Sequence, residues 1–68
     1  MTELGIAIIG CGRVGRMRGK IASEFPGISW IGLCDSNEDI GKQLQQDISA
    51  DYFTTDYVEL IQRNEVDA

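Results

Sequence analysis

Gly10-Cys11-Gly12-Arg13-Val14-Gly15 sets three glycines at the spacing G-x-G-x-x-G, and Asp35 stands twenty residues past the last of them. A glycine in the first position allows a sharp exit from a strand, because it adopts backbone angles that other residues avoid. A glycine in the second leaves no side chain between the backbone and an approaching phosphate. A glycine in the third lets a helix sit close on a sheet. The N–H groups near Arg13 and Val14 then face the ligand, and the helix start adds roughly half a positive charge. A carboxylate ending the next strand accepts ribose hydroxyls. The chemistry implied is capture of a pyrophosphate and an adenosine ribose.

Such a site needs a strand, a tight turn and a helix in that order. Leu4 to Ile9 is nearly all apolar, as suits a strand covered on both faces of a parallel sheet. Val14, Met17, Ile21 and Phe25 then recur at helical intervals with Ala22 beside them, and Pro26-Gly27 stops the helix. Gly15, Gly19 and Ala22 form a stripe of small residues for close packing. Ile28 to Cys34 is a second apolar run, closed by Asp35. Ser36 or Asn37 caps the next helix, and Ser36 with Asp39 forms a capping-box pattern. Ile40, Leu44 and Ile48 make that helix's buried stripe. Tyr52-Phe53-Thr54 reads as a third strand. Thr55 or Asp56 caps a third helix carrying Tyr57, Val58, Leu60 and Ile61, and Val66-Asp67-Ala68 opens a fourth strand. Trp30, Tyr52 and Phe53 read as core.

The fold class expected is therefore α/β: a Rossmann-like parallel sheet with βαβαβα order, stopping at the start of strand 4. In the usual strand order 3-2-1-4-5-6, strand 1 lies between strands 2 and 4, so one side of strand 1 is expected to lack its partner. Residues 1–68 read as part of a dinucleotide-binding domain from a longer protein.

The charges support an anion site. Arg13, Arg16, Arg18 and Lys20 form a basic segment without an acid, although the net charge is −5. Cations in a helix's first turn cost about 0.3–1 kcal/mol each when exposed, and a bound pyrophosphate at Arg13 and Arg16 would reverse that sign. Arg18 and Lys20 read as a solvated face. Asp35 would repel a 2′-phosphate, and Ser36 and Asn37 beside it are not basic, so NAD is favoured over NADP. The candidate cofactor-binding residues are Gly10, Cys11, Gly12, Arg13, Val14, Gly15, Asp35, Ser36 and Asn37.

Other classes are less well served. The negative charge argues against a nucleic-acid binder. There is no histidine and no zinc spacing, and no catalytic triad or paired-carboxylate site is present. Cys11 and Cys34 fall near the ends of neighbouring strands. They read as small buried hydrophobes, with a redox pair as the alternative. No apolar stretch reaches the roughly 18 residues needed to span a membrane. Met1-Thr2-Glu3 lacks the basic start of a signal peptide, so a cytoplasmic location is expected.

The glycine turn, the Pro26-Gly27 break, Leu33-Cys34-Asp35-Ser36-Asn37 and the closing Val66-Asp67-Ala68 together resemble the amino-terminal part of the Gfo/Idh/MocA family. This is the group of glucose–fructose oxidoreductase and inositol dehydrogenase. The resemblance covers the whole chain. It implies a two-domain oxidoreductase that binds NAD or NADP in the first domain and a sugar, cyclitol or related alcohol in the second. Gly10, Gly12 and Gly15 would be the phosphate-turn glycines, Arg13 and Val14 would present backbone, and Asp35 would accept the ribose. Many members carry a histidine where this chain has Arg18. The family's Glu-Lys-Pro segment and its catalytic lysine and histidine lie beyond residue 68, so no catalytic residue carries over. Two other readings remain: part of a methyltransferase using S-adenosylmethionine, and a non-catalytic NAD sensor. A homo-oligomer is left open.

Overall fold

The computed structural model describes residues 4–68, and the Met1–Glu3 opening that bore on a signal peptide lies outside them. Six elements alternate: β1 Leu4–Ile9, α1 Arg13–Ser23, β2 Ile28–Cys34, α2 Glu38–Ile48, β3 Tyr52–Thr54 and α3 Tyr57–Ile61. The strands form one sheet in the order β1-β2-β3, and both pairings are parallel. The register sets Ile9 beside Cys34 and Cys34 beside Thr54, so the three strands end together at one edge. Both turns of interest, after β1 and after β2, rise from that edge. The fold is α/β and Rossmann-like.

Side chains alternate across β2. Ile31 and Leu33 are buried with Cys11, Ala22 and Leu44, which places the main core between the sheet and the pair α1 and α2. Gly32 faces the other way, toward Trp30 and Leu60, so α3 lies on the opposite face. Leu33, Leu44 and Leu60 are fully enclosed. Burying each contributes about 1.5–3 kcal/mol.

Several details differ from expectation. The apolar residues of the first helical segment do not face the core: Val14, Met17, Ile21 and Phe25 are 55, 56, 61 and 59% exposed. The buried face of α1 is Gly15, Gly19 and Ala22. A Cβ on Gly15 would overlap the carbonyl of Gly10, and one on Gly19 would stand 3.0 Å from Ile48 Cδ1. The helix sits too close to the sheet and α2 for larger side chains, so these are displaced outward. Phe25 lies beyond the end of α1. In α2, Leu44 is enclosed and Ile48 half-buried, but Ile40 is exposed. Its cap is Asn37, whose side chain accepts the Ile40 N–H, and the Ser36 capping box is not the one used. Asp56, not Thr55, caps α3, accepting the N–H groups of Val58 and Glu59. That helix has only five residues. Trp30 and Tyr52 are half-buried and stacked at 6.2 Å, with the Arg63 guanidinium 4.1 Å from the Tyr52 ring. Phe53 packs on the core.

The free side of β1 is partly filled. Asp67 N–H donates to Gly5 O at 2.6 Å and Ala7 N–H to Ala68 O at 2.8 Å. The Asp67 carboxylate also accepts the Gly5 N–H at 2.9 Å. Residues 66–68 therefore run beside β1 from Gly5 to Ala7, as the opening of a fourth strand would. Gly5 is required there, because a Cβ would overlap the Glu65 carbonyl.

Candidate functional site

The turn after β1 is built as its glycines demand. Gly10 adopts φ +93°, in the region that favours glycine, and so turns the chain off the strand. The Gly10 N–H donates to Cys34 O at 2.7 Å, which keeps the turn against the end of β2. A Cβ on Gly12 would meet nothing within 4 Å, so this residue faces open space. Gly15 holds α1 down onto the turn.

The start of α1 is unlike that of the other helices. Gly12 is its N-cap residue, no side chain caps it, and its first turn has no acid. In α2 and α3, Asn37 and Asp56 cap, and Glu38, Asp39 and Glu59 lie in the first turns. A helix start leaves four N–H groups without intrahelical partners, and a capping oxygen ordinarily takes one. At α1 no side chain supplies that acceptor, and the amides stay open to solvent or to a ligand. A hollow of about 390 Å³ adjoins these amides, lined by Ala7 to Gly10, Gly12 to Gly15 and Arg18. A second, of about 380 Å³, shares Gly12 and Arg13 and extends to Asp39, Ile40 and Gln43 of α2.

The arginines divide. Arg13 borders both hollows and Arg18 borders the first. Arg18 is exposed, as a solvated face requires, and it also stands at the rim of that hollow. It stands one turn past Val14 and Gly15, so the i, i+3 and i, i+4 spacing already put it on their side. Arg16 borders the second hollow and bridges to Asp47 of α2 at 2.6 Å, with both side chains about a third exposed. Its charge is partnered there by Asp47. Lys20 is exposed in the last turn, where a cation suits the helix dipole.

Asp35 lies beside the turn. Its Oδ2 accepts the Cys11 N–H at 2.7 Å and its Oδ1 the Asn37 N–H at 2.8 Å. The Asn37 N–H, then the Cys11 N–H, holds the carboxyl below the usual carboxylate range. Asp35 is therefore ionised at neutral pH. A carboxylate has about four acceptor positions, so two remain open. Ser36 is exposed next to it, and the Asn37 side chain is committed to capping α2.

Cys11 and Cys34 are buried free thiols. The Cys11 thiol donates to Cys34 O at 3.5 Å. Burial, then the charge of Asp35, pushes its pKa up to about 11, and the same causes raise Cys34. Neither is an activated thiolate. Among the described residues no group of three or more potential ligands is placed to hold a metal. No described helix is long and apolar enough to cross a membrane.

No family model matches the chain, and no curated protein matches it. Among solved structures the chain is similar to GenD2 from gentamicin A biosynthesis, crystallised in complex with NAD. The TM-score is 0.86 at 24% sequence identity, over 97% of this chain and 19% of that one. This chain spans about a fifth of the length of that protein. At this identity the likeness establishes the fold.

Proposed function

We propose that this chain is the NAD-binding part of a longer oxidoreductase, similar to the Gfo/Idh/MocA family, that moves a hydride between nicotinamide and a sugar, cyclitol or related alcohol. One observation carries the reading: α1 begins at a glycine turn, beside a hollow, without a cap or an acid. Its first amides have no side-chain acceptor, and a diphosphate supplies several. The open space at Gly12 is the cradle that a side chain would fill. The NAD held by GenD2, which shares the fold, supports the same cofactor here.

In this proposal the amides of Gly12, Arg13 and Val14 donate to the diphosphate, and Gly10 and Gly15 shape the turn. The guanidinium groups of Arg13 and Arg18 offset the ligand's charge. Asp35 accepts ribose hydroxyls with its free lone pairs, and Ser36 and Asn37 border that ribose. Cys11 contributes packing beneath the turn. NAD supplies the hydride chemistry. No described residue is assigned as a general acid or base in this proposal, and the alcohol binds elsewhere in the longer protein.

Calorimetry on the intact protein with NAD, NADP and S-adenosylmethionine tests the reading. NAD is expected to bind tightest. Preference for S-adenosylmethionine would favour a methyltransferase, whose site has no diphosphate to gain from Arg13 and Gly15. Binding of NAD without turnover on any polyol would favour a sensor.

A further inference from the structure

We infer that Asp35 is a positioning residue for the diphosphate as well as an acceptor for the ribose: its carboxylate holds the glycine turn in the shape that receives the phosphates. This rests on the nucleotide-binding reading above. Cys11 stands between two glycines, of which Gly10 has a positive φ and Gly12 has open space where a side chain would stand. Glycine loses more conformational freedom on ordering than any other residue, so such a turn needs anchors. Three reach it, all from the end of β2. The Cys34 carbonyl accepts the Gly10 N–H at 2.7 Å and the Cys11 thiol at 3.5 Å. The Asp35 carboxylate accepts the Cys11 N–H at 2.7 Å. That bond is the one with an ionised partner, and such bonds are about twice as strong as neutral ones. It fixes the Gly10–Cys11 peptide, one residue before Gly12. Its other oxygen takes the Asn37 N–H, so one side chain ties the β1–α1 turn to the start of α2.

Two effects of removing Asp35 have opposite signs. By Coulomb's law alone, deleting a negative charge near a diphosphate strengthens its binding. Loss of the clasp frees the turn and weakens it. Inorganic pyrophosphate, which has no ribose, separates them. It should be measured by calorimetry on the intact wild-type protein and on Asp35→Ala, together with NAD. A ligand-independent measurement goes with it: amide exchange of protein labelled with ¹⁵N-cysteine, comparing Cys11 with Cys34.

The positioning role gives Asp35→Ala a Cys11 amide that exchanges about tenfold faster or more, the size of one charge-assisted bond. Cys34 exchange stays as in wild type, and pyrophosphate affinity falls. Asp35→Asn keeps the side-chain shape and one acceptor oxygen. It is expected to move both readouts the same way by less, and it carries the test if the alanine variant does not fold. Unchanged or tighter pyrophosphate binding overturns the role whatever the amide exchange does. If wild type binds NAD and pyrophosphate and only this result fails, the nucleotide reading stands alone. If wild type binds neither ligand, both fall.

Discussion

At the scale of single residues, Gly12 and Gly15 separate function from packing. Gly12→Val puts its side chain into open space at an extended backbone position, φ −72° and ψ −157°. The fold is expected to lose at most about 1 kcal/mol, through the poorer helix cap. NAD binding is expected to vanish in calorimetry. Gly15→Ala does the reverse work: its Cβ overlaps the Gly10 carbonyl, so stability falls by about 1–3 kcal/mol in denaturant titration. Asp35→Arg removes the acceptor of the ribose and offers a partner for a 2′-phosphate. The ratio of NADP to NAD affinity is expected to rise about tenfold or more. Because the clasp on Cys11 is lost as well, NADP affinity should stay below that of wild type for NAD. The carboxyl also sets an acid limit. Its folded pKa is lowered by the Asn37 and Cys11 N–H groups, so its stabilisation is full above the ordinary aspartate value of about 3.9 and disappears as pH falls through the folded value. Thermal melts of wild type should lose stability below about pH 4 more steeply than those of Asp35→Asn.

Elements show which parts of the fold were legible in the chain. Asn37→Ala removes the cap of α2 and is expected to cost about 1 kcal/mol in chemical denaturation. The sequence alone left that cap between Ser36 and Asn37, because both types serve and the choice depends on where the chain leaves β2. Strand and helix order was plain from apolar runs and glycine punctuation, and α1 and α2 each have eleven residues. The outward stripe of α1 was not legible. Val14, Met17 and Ile21 have helical spacing, but so does the stripe Gly15, Gly19 and Ala22. Which one faces the sheet is settled by contact distance, which spacing does not reveal. Gly10 and Gly15 were legible, the first as a turn with positive φ and the second as a close helix contact. That Arg18 borders the hollow was not legible, because a run of charges says which residues are solvated and not what they stand beside. The bond from Cys11 N–H to Asp35 joins residues 24 apart, and no local pattern announces it.

For the molecule as a whole, the distribution of charge and apolar surface follows from one design. Eleven acids lie outside the basic segment, while Arg13 and Arg18 border the hollow at the turn. Affinity for a diphosphate there should weaken as salt shortens the screening length from about 10 Å at 0.1 M. Leu4, Ile9, Val14, Met17 and Ile21 leave β1 and α1 with exposed apolar surface, and residues 66–68 already pair with part of β1. In the proposed longer protein that surface is covered. Residues 1–68 expressed alone are therefore expected to bind the dye ANS strongly, and the intact protein weakly. The central claim is that main-chain amides at the start of α1 hold the diphosphate. A crystal structure of the intact protein with NAD tests it most directly. The diphosphate is expected within hydrogen-bond distance of the N–H groups of Gly12 to Val14, with the adenosine ribose on Asp35. Density for the diphosphate anywhere else, with those amides still unbound, would contradict it.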